Sequence, residues 1–298
     1  MVKELNLAGV FPPIPTPLDG SGELALDKLA ANLNRWNDWP LGGYVVGGSN
    51  GEFVLLEDSE RVAVVEAARQ SVPDERLLIA GSGAQSTRRT LALTESMAAV
   101  GADAVIVVTP SYYRRQMDAR AMVSHFEAVA EASPVPVILY NVPANTGLDL
   151  PLAAVVELAD HPNIIGMKDS GGDVVRLATI VQRTAPEFQV LAGSASFFLA
   201  ALSVGAVGAV SALANLAGER LAELQSAFER GDRSRAADLQ GSMLAVNHAV
   251  TAGYGVPGLK AALDMLGFYG GPVRAPLLEV GEEGRRELKE ILTEADLL

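Results

Sequence analysis

The sequence predicts an α/β chain in which eight parallel strands alternate with helices, a (β/α)8 barrel followed by a small C-terminal helical region. Three observations carry that expectation. Short apolar runs alternate with helical patterns from near the N-terminus to about Arg230. Runs such as Ala104-Val105-Ile106-Val107-Val108 are apolar throughout, as in strands buried on both faces. No Gly-x-Gly-x-x-Gly follows the first strand, which counts against a dinucleotide-binding sheet.

The elements follow in order. The first strand is expected at Gly9 to Thr16, crowded by Pro12, Pro13 and Pro15, with Pro17 just beyond. A helix then runs through Leu29, Leu33 and Trp36, and Gly43-Tyr44-Val45-Val46-Gly47 is the second strand. The next helix begins near an Asp58 cap, with Val62, Val65 and Ala68 on one face. Leu77-Leu78-Ile79-Ala80-Gly81 is the third strand, and its helix runs from Ser86 to a glycine stop at Gly101. After the fourth strand, at Ala104, a helix spans about Ala119 to Ala132, closed by Ser133-Pro134.

Val137-Ile138-Leu139-Tyr140 is the fifth strand, and the helix after it begins at Pro151. Asn163 to Ser170 is the sixth strand, followed by a helix from about Asp173 to Thr184. Phe188 to Ala192 and Ala206 to Ser211 complete the eight, and a last barrel helix starts near Gly218. Beyond Gly231 strand patterns stop. The expected division is a catalytic barrel over 1–230 and a helical region over 231–298, with segments at Ala236 to Val250 and Pro257 to Leu266.

Composition narrows the function classes. The 298 residues carry a net charge of −13, which repels nucleic acid and anionic membranes, so neither is an expected partner. There is no cysteine, which removes disulfides, thiolate metal sites and thiol nucleophiles. His125, His161 and His248 lie far apart without ligand-type neighbours, so no metal is expected; each reads as a surface or helix-end residue. No apolar run is long enough to cross a bilayer. The stretch Met1-Val2-Lys3-Glu4-Leu5-Asn6 has no signal-peptide core, and a cytoplasmic protein is expected.

The sixth strand organises the chemistry. Its apolar run ends abruptly at Lys168-Asp169-Ser170. Catalytic groups of barrels sit at the carboxyl ends of strands. An ammonium facing an apolar cavity loses hydration, which favours the neutral amine, the nucleophile of Schiff-base chemistry on a ketone. The plain alternative is a lysine that closes the barrel end or pairs with Asp169.

The other strand ends share that mouth. They are Gly47-Gly48-Ser49-Asn50-Gly51-Glu52, Thr109 to Tyr113, Tyr140 to Pro143, Gly193-Ser194 and Val210-Ser211. The glycines around Ser49 and Asn50 suit a nest of N–H groups for a carboxylate, or simply a tight turn. Glu52 reads either as a catalytic acid or, by preference, as a residue bonding backbone N–H groups to close that turn. Tyr140 either packs or offers its hydroxyl to the mouth. Tyr112 and Tyr113 read as loop packing or a subunit contact. The loops at Gly81-Ser82-Gly83 and Gly193-Ser194 only weakly suggest phosphate.

Together Gly48-Ser49-Asn50-Gly51-Glu52, Tyr140-Asn141-Val142-Pro143 and Gly166-Met167-Lys168-Asp169 resemble the pyruvate-dependent class I aldolase family of dihydrodipicolinate synthase and N-acetylneuraminate lyase. The resemblance extends from Gly9 to Pro276. Within the family, Val142 to Asp149, Met167 to Asp173 and Phe268 to Pro272 are most similar to the 4-hydroxy-2-oxoglutarate aldolases.

The resemblance implies a Schiff base on Lys168, a proton shuttle at Tyr140 and a relay completed by Tyr112, or by its neighbour Tyr113, within the subunit or across a subunit boundary. It implies that Ser49 and Asn50 hold the pyruvyl carboxylate, with Gly48, Ser170, Gly193, Val210 and Asn145 also on the substrate. It further implies a homotetramer that needs no cofactor. The function expected is cleavage of 4-hydroxy-2-oxoglutarate to pyruvate and glyoxylate, with dihydrodipicolinate synthesis, or an aldolase or dehydratase reaction on sugar-derived 2-oxo acids, as alternatives. In the synthases an arginine shortly after Tyr-Asn-Val-Pro binds the aldehyde's carboxylate; here the position is Asn145.

Overall fold

The computed structural model describes residues 5–298; Met1 to Glu4, most of the stretch on which the signal-peptide reading rests, lie outside them. Among the described residues the strands are β1 (Gly9–Phe11), β2 (Gly43–Val46), β3 (Leu77–Gly81), β4 (Ala104–Val108), β5 (Val137–Asn141), β6 (Ile164–Asp169), β7 (Gln189–Ala192) and β8 (Gly208–Val210). All neighbours pair in parallel, β2 through β8 in sequence with β1 beside β8. Helices between them are α1 (Leu26–Trp36), α2 (Asp58–Ser71), α3 (Thr87–Ala99), α4 (Ala119–Ala132), α5 (Pro143–Thr146), α6 (Leu152–Leu158), α7 (Val174–Arg183), α8 (Phe198–Ser203) and α9 (Ala214–Glu229). The chain is a (β/α)8 barrel.

The prolines of the first strand explain its shortness. They lack N–H donors, so the regular ladder stops at Phe11. The segment still pairs with β2: Val45 N donates to the Pro12 carbonyl at 3.0 Å and Ile14 N donates to the Val45 carbonyl at 2.8 Å, closing the barrel between β1 and β2. Two apolar layers result from the two-residue alternation of strands. Phe11, Val45, Ile79, Ile106, Ile138, Leu191 and Val210 fill the interior. Leu78, Val105, Leu139, Met167 and Val190 face the helices, against Leu93, Phe126, Val155 and Ile180.

Some boundaries differ from the sequence reading. The cap of α2 is Glu57, whose N–H donates to Glu60 Oε2 at 2.8 Å; Asp58 instead holds Arg89 at 2.7 Å. The last barrel helix, Ala214–Glu229, is kinked at Ala217, whose backbone is non-helical at φ −140° and ψ 43°, so its continuous part begins at Gly218 as the sequence reading expects, with one further turn ahead of it. After the barrel come α10 (Arg233–Ser242), α11 (Leu244–His248), a wide turn at Ala249–Gly253, α12 (Gly255–Met265) and α13 (Glu282–Glu294). In the wide turn Tyr254 N reaches Ala249 O at 2.8 Å, one residue beyond α spacing. Between α12 and α13 the chain returns to the barrel. Phe268 stacks on Trp36 at 5.2 Å, and Asn32 on α1 both donates to Tyr269 O and accepts from Tyr269 N. No described helix is long and apolar enough to cross a membrane.

His125 departs from the surface reading. It is buried in the middle of α4, with Nδ1 at 2.9 Å from Thr87 Oγ1 and Nε2 without a partner. Burial pushes its pKa from 6.5 down to about 4. The unfolded chain therefore takes up this proton first as pH falls, and stability drops between pH 6.5 and 4 by about 3 kcal/mol from this residue. In His125→Leu the acid loss measured by urea unfolding across that window shrinks by this amount. An unchanged pH slope would mean that His125 is solvated.

Candidate active site

Residue alternation in β6 decides where the lysine points. Met167 faces the helices, so Lys168 faces the barrel interior and Asp169 faces out again. Lys168 is only 5% exposed, and it lines a cavity at the mouth of the barrel. Asp169 has other partners: Arg176 Nε donates to it at 3.1 Å, Asn141 Nδ2 at 3.0 Å and Gly171 N at 2.7 Å. The reading of a Lys168–Asp169 pair is thereby excluded. The outward network instead fixes the loop that follows the lysine. Neighbouring residues of a strand cannot share a face, so this separation was implicit in the sequence; Arg176 as the partner was not.

Parallel pairing sets Tyr140 of β5 directly beside Lys168. The lysine Nζ lies 4.2 Å from the centre of the Tyr140 ring. The phenol is 3.2 Å from Ser49 Oγ. Burial pushes the Tyr140 phenol up, but the Lys168 cation and hydrogen bonds with Ser49, Lys168 and Ser170 outweigh it, and the pKa falls below 10. A phenol so placed passes a proton more readily than an ordinary tyrosine.

Ser49 and Asn50 belong to a tight turn at Ser49–Gly51, held by Gly51 N to Gly48 O at 3.0 Å and Thr16 Oγ1 to Gly51 O at 2.7 Å. Glu52 bonds a backbone N–H, as expected, but not one of its own turn. It accepts from Arg274 N at 2.7 Å and faces Lys260. The loop at Gly81-Ser82-Gly83 is structural: both glycine carbonyls accept from the buried Arg61, and Ser82 bonds Thr94 at 2.8 Å.

These groups open on a cavity of about 670 Å³ at the carboxyl ends of the strands. Ser49, Asn50, Tyr140, Asn145, Lys168, Ser170, Gly193 and Val210 all line it. Gly48 does not; it borders a small void behind Tyr140. The far wall comes from the C-terminal helices, through Leu244, Asn247, His248 and Thr251. The sequence reading missed this wall. Its one signal was Asn247-His248 in an otherwise apolar helical stretch. Apart from Lys168, Tyr140 and His248, no lining side chain among the described residues is titratable, and none is an arginine. No three His, Asp or Glu side chains among the described residues converge as a metal site would require.

A family model for the dihydrodipicolinate synthetase family matches residues 6–295. The chain belongs to this family. It is 42% identical to an uncharacterised DapA-like lyase of Halobacterium salinarum, over 99% of this chain and 96% of that one. It is 35% identical to a 4-hydroxy-tetrahydrodipicolinate synthase of Methanothrix thermoacetophila, over 96% of both. Among solved structures, a Bacillus anthracis dihydrodipicolinate synthase superposes with a TM-score of 0.93 at 33% identity, covering 98% of this chain and 99% of that chain. The Acinetobacter baumannii enzyme, complexed with pyruvate, gives 0.94 at 29% identity, covering 98% and 100%. Members of the dihydrodipicolinate synthetase family are class I lysine Schiff-base lyases, and this chain is an enzyme of that type. The comparisons favour the synthase name over the narrower likeness to 4-hydroxy-2-oxoglutarate aldolase.

Tyr112 stands apart from the other expected site residues. It is 79% exposed, stacked edge-on with Tyr113 at 5.1 Å, and does not line the cavity. Arg114 lies against Gly147, and neither it nor Arg115 lines the cavity.

The two glycines at the mouth differ in what they tolerate. A Cβ on Gly193 would collide with Ser170 Oγ and the Asp169 carbonyl, whereas one on Gly48 meets only Val45 Cγ1 at 3.6 Å. Gly193→Ala is expected to lose about 1–3 kcal/mol, read from urea midpoints. Gly48→Ala stays within about 1 kcal/mol of the parent. Equal stabilities for the two variants would remove the close-packing account of Gly193.

Proposed function

We propose that this enzyme forms a Schiff base between Lys168 and the C2 ketone of a 2-oxo acid, and that pyruvate is the half common to its reaction. The observation that carries the reading is the inward Lys168, in contact with Tyr140, which reaches Ser49. In the cleavage direction the amine attacks C2, water leaves, and the iminium becomes an electron sink. The C3–C4 bond breaks as the Tyr140 phenolate takes the C4 hydroxyl proton, releasing an aldehyde. The enamine takes up a proton at C3, and hydrolysis frees pyruvate and the lysine. The Ser49–Asn50 turn holds the pyruvyl carboxylate through N–H and hydroxyl donors.

The cavity favours an uncharged, hydroxylated aldehyde half. With Asn145 at the synthase arginine position and no arginine lining the cavity, a second carboxylate lacks a bidentate partner. Asn145, Ser194, Asn247 and Thr251 instead offer neutral hydrogen bonds. This argues for a sugar-derived 2-oxo acid. The same reasoning weighs against 4-hydroxy-2-oxoglutarate, whose far end is also a carboxylate. The second reading, 4-hydroxy-tetrahydrodipicolinate synthesis from pyruvate and aspartate semialdehyde, is favoured by the names of the relatives. The exposed Tyr112–Tyr113 pair supports docking against a further copy, in a homotetramer where Tyr112 completes the proton relay of a neighbour.

Pyruvate with borohydride is expected to label Lys168 alone; an adduct mapped to Lys28 or Lys260 removes the mechanism. Lys168→Ala should lose at least about 10³-fold in rate. Tyr140→Phe should fold and still be labelled, yet lose about 10²–10⁴-fold in turnover. Full turnover in that variant makes Tyr140 a packing residue.

Substrate choice is read from kcat/KM for pyruvate with glyceraldehyde, glyoxylate and aspartate semialdehyde. Loss of a charge-assisted hydrogen bond costs about 1.5–3 kcal/mol, so glyceraldehyde should lead by roughly 10–100-fold. A faster reaction with aspartate semialdehyde transfers the assignment to the synthase.

A further inference from the structure

Among the described residues only Glu52 and Asp296 are non-glycine residues with a left-handed backbone. Asp296 follows the last helix, where such conformations commonly end a helix. Glu52 is different. It sits at φ 56° and ψ 28° between two tight turns, Ser49–Gly51 and Phe53–Leu55. A residue with a Cβ persists there only where its surroundings impose it.

Those surroundings are C-terminal. Lys260 on α12 places Nζ 2.5 Å from Glu52 Oε1, and both side chains are essentially inaccessible. Lys260 also donates to Pro272 O at 2.7 Å, and Glu52 Oε2 accepts from Arg274 N at 2.7 Å. The Arg274 guanidinium then grips Glu60 of α2 at 2.6 and 2.7 Å and the carbonyl of Gly22. Burial lowers the Lys260 pKa, while the carboxylates of Glu52 and Asp264 oppose that shift.

A buried ion pair adds little stability over an apolar pair of equal volume, and removing one partner leaves an uncompensated charge. What the pair does supply is a single geometry. Lys260 lies outside the lining of the cavity, as does Glu52, yet Glu52 is covalently continuous with the turn that lines it.

We propose that the Glu52–Lys260 pair is a positioning device for the substrate carboxylate. It locks the backbone of the Ser49–Asn50 turn in its receiving conformation, so that Lys260 sets the affinity for the carboxylate of the 2-oxo acid without touching it. The inference rests on the carboxylate role given to that turn above. Glu52 and Lys260 are positioning residues and take no part in bond making.

The test titrates borohydride trapping against pyruvate in the parent, Glu52→Gln, Lys260→Met and the double variant, alongside thermal melting. In Glu52→Gln the half-saturating pyruvate concentration should rise about tenfold, while the trapping rate at saturating pyruvate stays within about threefold of the parent. The double variant contains no unpaired buried charge, so it should fold and show the same rise even where a single variant does not fold. A folded double variant that saturates at the parent's pyruvate concentration overturns the proposal, whatever its melting temperature. A parent protein never trapped by pyruvate overturns the underlying carboxylate reading instead, which separates the two failures.

Discussion

The parallel pairing of β5 with β6 brings Tyr140 alongside Lys168 and, one step further on, Asn141 alongside Asp169. Because strand residues alternate between faces, Tyr140 and Lys168 point into the barrel while Asn141 and Asp169 point outward. The inward pair has the composition of a reactive centre: an amine against an aromatic face, with a phenol reaching a serine. The outward pair is a hydrogen-bonded brace in which Asp169 joins Asn141, Arg176 and the following loop. A slip of one residue would exchange the two sets, exposing the brace to the cavity and burying the amine against helices. The apolar alternation of the neighbouring strands prevents that slip, so core packing and chemistry are fixed by the same register.

The barrel does not enclose its own cavity. The strand ends supply the reactive side and floor, and the C-terminal helices supply the opposite wall. Those helices are bound back onto the barrel through Phe268 on Trp36, the two hydrogen bonds between Asn32 and Tyr269, and the Arg274 grip on Glu60. The wide turn at Ala249–Gly253 lies within this wall, and Val250, Thr251 and Ala252 line the cavity from it. Such widened turns rotate side chains out of regular helical phase and are frequent at functional sites.

Much of this was legible in the sequence because it obeys local rules. Eight apolar runs marked the strands, and an abrupt polar end marked Lys168 and the mouth of the barrel. Other features depend on distant partners. Glu52 lies in a glycine-rich turn and reads as part of it, but its ligands arrive from Lys260 and Arg274, more than two hundred residues on. His125 carries no sequence mark of burial; only the packing of α4 hides it. Helix α13 is mostly charged, and Leu288 and Leu292 make too narrow a stripe to announce it. The wall formed by Asn247 and Thr251 escaped because strand-end reasoning does not extend to helices beyond the barrel.

The division of the cavity between strand ends and C-terminal helices separates two kinds of evolutionary change. Substitutions at 244–256 alter the cavity wall opposite the lysine while leaving the lysine, its tyrosine and their strand register untouched. New specificities can therefore arise by drift in one peripheral segment, with the covalent chemistry inherited intact. Change at the strand ends has less freedom where a residue is also close-packed, as Gly193 is against Ser170 and the Asp169 carbonyl. A lineage built on this plan would diversify its substrates far faster than its reaction.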